Sequence, residues 1–247
     1  MTEHVRRLEE ITLNSSSALR QQFYDGWILR FSPGSEVKRS NSVTALYPST
    51  LEVAAKIAYC EQAYADAGLA TRFRLNASSL PAQLDQLLAE RGCRKIEPTL
   101  VMLLPLRQCA AQPVAPGFAV KDLDEWITLS SALRGKPRET LEARRQRLAS
   151  APVSWFPVTL TVAAQTVCSG IGGRDGEYFG LFDLFTPEAL RRRGYSTALA
   201  ISLIETARAS GASYAYLQVD EANGPARRIY ERLGFCPVYT YWYRTQV

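Results

Sequence analysis

Apolar positions along the chain repeat with two periods, one near 3.6 residues and one near 2. Together they predict helices and strands in alternation. In the first half a helix is predicted over residues 15–23 and a strand over 26–31, turned by Pro33-Gly34. A second strand over 41–46 is broken by Pro48. Val53, Ile57, Cys60, Ala63 and Tyr64 form the apolar stripe of a helix over 51–67, which Gly68 stops. A strand over 70–75, a helix over 80–90 and a strand region over 96–106 complete this half.

The second half repeats the alternation. It predicts a strand at 118–120, helices at 123–133 and 140–148, and a hairpin of 157–163 with 166–171 through Ala164-Gln165. A strand over 178–185 leads into a long helix over 193–209, ended by Gly211. Then come a strand at 214–219, a helix at 225–233 with Pro225 in its first turn, and a last strand at 237–244. On that last strand Tyr239, Tyr241 and Tyr243 share one face. Hairpins first and strand–helix–strand units last argue for an α/β fold, a mixed sheet covered by helices. Between the halves, CAAQPVAPG at residues 109–117 is small, Pro-containing and aperiodic, a linker or an inter-domain loop. The expected domains are residues 1–112 and 117–247.

Composition narrows the chemistry. With 47% hydrophobic and 21% charged residues, the 247-residue chain is a folded protein. Its net charge of +5 is spread along the chain, and the tightest basic cluster is Arg191, Arg192 and Arg193. A nucleic-acid partner is not expected, since a footprint needs a wider stripe and a reading element. No stretch approaches the roughly 20 apolar residues of a membrane span, and residues 1–10 alternate acids and bases without a signal-peptide core. Five cysteines without a C-x-x-C pair read as free thiols in a reducing cytoplasm, with Cys168 and Cys236 as core residues. The one histidine, His4, rules out a His-based triad or a multi-histidine metal site, and no carboxylate spacing points to a metal.

Two stretches carry chemistry. In residues 181–207 a strand ends near Thr186, a loop brings Arg191, Arg192 and Arg193, and Gly194 opens a long helix. The first-turn N–H groups of a helix have no internal acceptors and sit at its positive end, so a diphosphate can satisfy them. Gly194 lets oxygens approach the backbone, and Ser196 can add a hydroxyl or cap the helix. A solvated basic loop before an ordinary helix is the other reading. The spacing is neither a dinucleotide glycine fingerprint nor a P-loop. In residues 217–235, Asn223, Ala226 or Arg227, and Tyr230 share a helix face. The Tyr230 phenol can protonate a departing thiolate as a general acid, or it can be a core aromatic with its hydroxyl at the surface.

Together these stretches resemble the Gcn5-related N-acetyltransferase superfamily across residues 118–247. The family's (Q/R)-x-x-G-x-(G/A) motif corresponds to Arg191-Arg192-Arg193-Gly194-Tyr195-Ser196, and its N-x-x-A-x-x-x-Y-x-x-x-G-F pattern to Asn223, Ala226, Tyr230, Gly234 and Phe235. The resemblance implies a sheet with splayed central parallel strands at residues 178–185 and 214–219, and a pantetheine arm between them. It implies acetyl-CoA as the acyl-donor cosubstrate and attack by a primary amine. It assigns the cofactor site to Leu184, Phe185, Thr186, Arg191, Arg192, Arg193, Gly194, Tyr195, Ser196, Thr197, Asn223, Ala226 and Tyr230, and a catalytic role to Tyr230. The carbonyl oxygen would be polarised by a backbone N–H near residues 184–186. Ser196 departs from the usual glycine or alanine, and the 186–190 segment is about one residue longer than common. For the general base the candidates are Asp183, Glu177, Asp220 and Glu221, with Asp183 favoured because it lies in the strand beside the expected thioester. The first half resembles a smaller, degenerate copy of the same fold, in DGWILRF at 25–31, KRSNSV at 38–43 and LDQLLAERGC at 84–93. It is expected to wall the substrate cleft or to serve structure alone. The acceptor, a small molecule or a peptide amine, stays open, as does monomer against homodimer. A catalytically silent CoA-binding regulatory or interaction protein is the alternative.

Overall fold

The computed structural model describes residues 3–135 and 140–246. The chain opens with helix α1 (Glu3–Ser15), which corrects the helix expected over 15–23. Those residues instead lead into β1 (Arg20–Tyr24), paired antiparallel with β2 (Trp27–Phe31) across Asp25-Gly26, where both φ angles are positive. The buried face of α1 carries Leu8, Glu9, Ile11 and Thr12, and the carboxylate among them conceals the apolar stripe. Glu9 is tolerated there because Arg74 Nη2 donates to its Oε1 at 3.0 Å and the Tyr239 hydroxyl donates to the same oxygen.

The first half continues with β3 (Val43–Ala45), α2 (Val53–Asp66), β4 (Arg72–Asn76), α3 (Leu84–Glu90) and β5 (Arg94–Pro105). The second half adds β6 (Phe118–Val120), α4 (Leu123–Arg134), α5 (Leu141–Ala149), β7 (Ser154–Val162), β8 (Gln165–Asp175) and β9 (Tyr178–Phe185). It ends with α6 (Tyr195–Ala209), β10 (Tyr214–Asp220), α7 (Gly224–Arg232) and β11 (Cys236–Thr245).

These eleven strands form one mixed sheet in the order β1-β2-β3-β4-β11-β5-β10-β9-β8-β7-β6. Strand β5 comes from the first half but lies between β10 and β11, antiparallel to both. Met102 and Leu104 of β5 therefore enter a core made with Phe179, Leu199, Leu203, Leu217 and Phe235. A second core, around Trp27, Phe31, Ile57, Phe73 and Leu88, lies under α2 and α3. Strand β11 joins the two: it pairs with β4, Tyr241 lies under the Arg74 guanidinium at 3.8 Å, and Trp242 Nε1 donates to Asp85 at 2.6 Å. Cys168 is buried, but Cys236 is exposed at the start of β11, where the chain leaves the Gly234 turn.

Two irregularities shape the middle of the sheet. The β8–β9 register shifts between Ser169↔Phe185 and Ile171↔Phe182, so Asp183 and Leu184 face Gly170 alone, a β-bulge with Asp183 at φ 56°. A Cβ on Gly170 would stand 3.3 Å from Leu184 Cγ, so glycine opposite the bulge gives that side chain room. The parallel β9–β10 ladder runs only from Tyr178↔Tyr214 to Leu181↔Leu217, although both strands continue.

Because β5 completes the core of the second half, residues 117–247 expressed alone are expected to show no cooperative thermal transition by circular dichroism. The full chain is expected to melt cooperatively.

Candidate active site

Where the β9–β10 pairing stops, Phe182, Asp183 and Leu184 face Gln218, Val219 and Asp220 across a cavity of about 370 Å³. Asn223, Ala226 and Tyr230 of α7 also line it, as their shared helix face requires. Asn223 caps that helix: its Oδ1 accepts the Ala226 N–H at 3.2 Å. The Tyr230 ring meets Phe235 edge-on at 6.0 Å. Burial pushes the Tyr230 phenol up to about 12, with the neighbouring Cys168 adding to it, so the hydroxyl keeps its proton and can donate it.

Asp183 lies on the bulge with its side chain 45% exposed to the cavity. Arg134 Nη2 contacts its Oδ1 at 3.2 Å and Arg144 Nη2 its Oδ2 at 2.6 Å. Arg134 also donates to the Asp183 carbonyl at 2.8 Å and stacks on Phe185 at 4.5 Å. Desolvation raises the Asp183 carboxyl, but the guanidiniums of Arg134, Arg144 and Arg147 outweigh it and leave the group below its ordinary value of 3.8. A carboxylate held in this way is a weak proton acceptor, which argues against the expected base role. Glu177 precedes β9, at the far end of a strand roughly 25 Å long at ~3.3 Å per residue. Neither Glu177 nor Glu221 lines the cavity, whereas Asp220 does, its Oδ1 accepting the Ala222 N–H at 2.8 Å.

The turn after β9 leads through an exposed loop to α6. Gly194 is the N-cap at φ 81°, a backbone conformation that favours glycine, with no protein atom within 4 Å of where a Cβ would stand. The Ala198 N–H to the Gly194 carbonyl, at 3.0 Å, is the first bond of the helix. The N–H groups of Tyr195, Ser196 and Thr197 therefore stay outside its ladder, beside Arg191, Arg192 and Arg193. Ser196 turns away from this cradle: its hydroxyl meets that of Thr186 at 2.8 Å, and Thr186 donates to Cys168 Sγ at 3.1 Å. Arg191 Nε donates to the Thr186 carbonyl at 3.3 Å, which ties the loop to the end of β9. Open space before a glycine, unpaired amides and adjacent guanidiniums suit a diphosphate.

Sequence reasoning did not single out the opposite wall. Arg39, Arg134, Arg144 and Arg147 line the cavity with Trp126 and Trp155. The signal was present for Arg144, which sits one turn before Leu148 on the buried stripe of α5.

Asp183→Asn removes the negative charge facing two guanidiniums. Because the folded carboxyl binds its proton less readily than the unfolded one, its contribution to stability exists above the ordinary value of 3.8 and fades as pH falls through the lower folded value. Thermal melts of wild type and variant are therefore expected to differ at neutral pH and to converge in strong acid.

A family model described as "Probable histone acetyltransferase Rv0428c C-terminal" matches residues 2–244. A curated relative described as the uncharacterized N-acetyltransferase YobR of Bacillus subtilis (strain 168) is 27% identical over 253 residues, covering 98% of each chain. Among solved structures, a GCN5-related N-acetyltransferase from Kribbella flavida superposes with a TM-score of 0.74 at 17% identity, covering 100% of this chain and 96% of that one. One from Sphaerobacter thermophilus gives 0.65 at 19% identity, covering 90% and 76%. The chain belongs to the family described as probable histone acetyltransferase Rv0428c C-terminal, and it is an acetyltransferase-family enzyme with the GCN5-related N-acetyltransferase fold.

Proposed function

We propose that this enzyme transfers an acetyl group from acetyl-CoA to a primary amine by direct attack. The observation that carries the reading is the stop in the β9–β10 ladder, which opens a cavity between the Asp183 bulge and Tyr230. The backbone groups beyond that stop would bind the pantetheine amides, and Asn223 and Ala226 would flank the arm. Gly194, the free amides of residues 195–197 and Arg191, Arg192 and Arg193 would hold the diphosphate.

In this reading the Leu184 N–H, in the bulge, polarises the thioester carbonyl. The amine nitrogen forms the new N–C bond, and the C–S bond breaks. Tyr230 gives its proton to the departing sulfur, and the nitrogen loses one through water to Asp220, the cavity carboxylate that no guanidinium holds among the described residues. Asp183 orients Arg134 and Arg144 instead of collecting that proton. Residues 117–247 thus bind the donor. Residues 1–112 wall the acceptor side through Ser15, Ser16, Val37 and Arg39.

Calorimetric titration with acetyl-CoA is expected to show binding that Gly194→Trp weakens by more than about tenfold, or 1.4 kcal/mol. No binding to the wild-type protein sinks the assignment, and binding without turnover of any amine points to the silent CoA-binding alternative. Tyr230→Phe is expected to lower kcat about 100-fold with acetyl-CoA affinity kept, as loss of a general acid does. The wild-type kcat should show no alkaline loss from this phenol until pH nears about 12.

A further inference from the structure

Among the described residues, the charged ones lining the cavity are four arginines, Arg39, Arg134, Arg144 and Arg147, and two aspartates, Asp183 and Asp220. None of residues 191–197 lines it, so these guanidiniums are separate from the basic turn before α6. Asp183 engages Arg134 and Arg144. Arg39, from the first half, has no carboxylate partner among the described residues. Its Nη1 donates to the Tyr241 hydroxyl at 3.4 Å, and its buried Nε has no hydrogen-bond acceptor. The Tyr241 hydroxyl donates in turn to Gln218 Oε1 at 3.0 Å, and the buried Nε2 of Gln218 is likewise without an acceptor. Buried donors are normally satisfied, and one wall of this cavity carries two that are not.

We propose that the acceptor is a small amine that also carries a carboxylate, bound with that carboxylate on Arg39 and Gln218 and its amine towards the Asp183 bulge. A carboxylate supplies acceptor oxygens and a negative charge for Arg39, and its bond to a guanidinium is charge-assisted. Trp126, Trp155 and Phe182 give the same cavity an aromatic wall for an apolar side chain, so amino acids fit its chemistry. A lysine-rich peptide brings a further cation, and no carboxylate, to the Arg39 guanidinium and is disfavoured. The proposal rests on the acetyl-CoA reading above.

The two ideas are separated by titrating acetyl-CoA first. Free-thiol release is then followed with amino acids, their amides, their decarboxylated amines and a lysine-rich peptide. Acids are expected to exceed their amides in kcat/KM by about tenfold or more. Arg39→Gln is expected to raise the KM of the acids about 10- to 100-fold, with Arg39→Lys recovering part of it. Gln218→Glu, of nearly unchanged volume, is expected to abolish the preference for acids, which keeps the test independent of how Arg39→Gln folds. Acetyl-CoA binding together with amides or the peptide used as well as the acids overturns the acceptor proposal alone. So does acetyl-CoA binding with no acid bound or turned over. No acetyl-CoA binding overturns the donor reading and this proposal with it.

Discussion

Strand β5 is what allows the sheet to open. Strand β10 is paired with β5 along its whole length, from Tyr214↔Pro105 to Asp220↔Thr99, so it can release β9 after Leu217 without losing its place. On the other side β9 stays attached to β8 past the bulge, at Ser169↔Phe185. Each strand beside the cavity is therefore held by its outer neighbour, and only the inner backbone groups go without a strand partner. Unpaired amides and carbonyls inside a sheet are costly unless water or a ligand meets them. That requirement, and the helix N-terminus that faces open space at Gly194 outside the cavity, are what the proposed extended, amide-bearing, phosphorylated donor would meet.

The same strand brings the halves into one electrostatic system. Because β5 and β4 flank β11, the tyrosines of β11 lie beside Arg74 and Arg39 of the first half. The chain Arg39–Tyr241–Gln218 then links a segment near residue 39 to β10 at the cavity. Opposite it, Arg134 and Arg144 leave α4 and α5 to grip the Asp183 bulge. The bulge thus holds a carboxylate where two guanidiniums meet it. In the proposed reaction the amine's proton therefore goes to another group.

What could be read from the sequence divides along a physical line. Strands β9 and β10 and the helices after them were legible because their signals are local: Gly194 before a long amphipathic run, and Asn223, Ala226 and Tyr230 at helical spacing. Helix α1 was misread because Glu9 sits on its buried face, and a pattern of apolar residues cannot show that Arg74, far along the chain, neutralises it. The position of β5 was equally hidden. Its alternation says that it is a strand, but not that it inserts between two strands formed more than a hundred residues later.

The acceptor wall follows the same rule more sharply. A donor site built on one loop and two helix ends leaves a spaced motif, because each contact is set by its neighbours in sequence. The opposite wall draws residues from the end of α1, the segment before β3, α4 and α5, and no spacing connects Ser15, Arg39, Arg134 and Arg144. Their convergence exists only once the eleven-stranded sheet has formed. On the acceptor proposal, the charge of that wall, and not the motif, decides which amine is used.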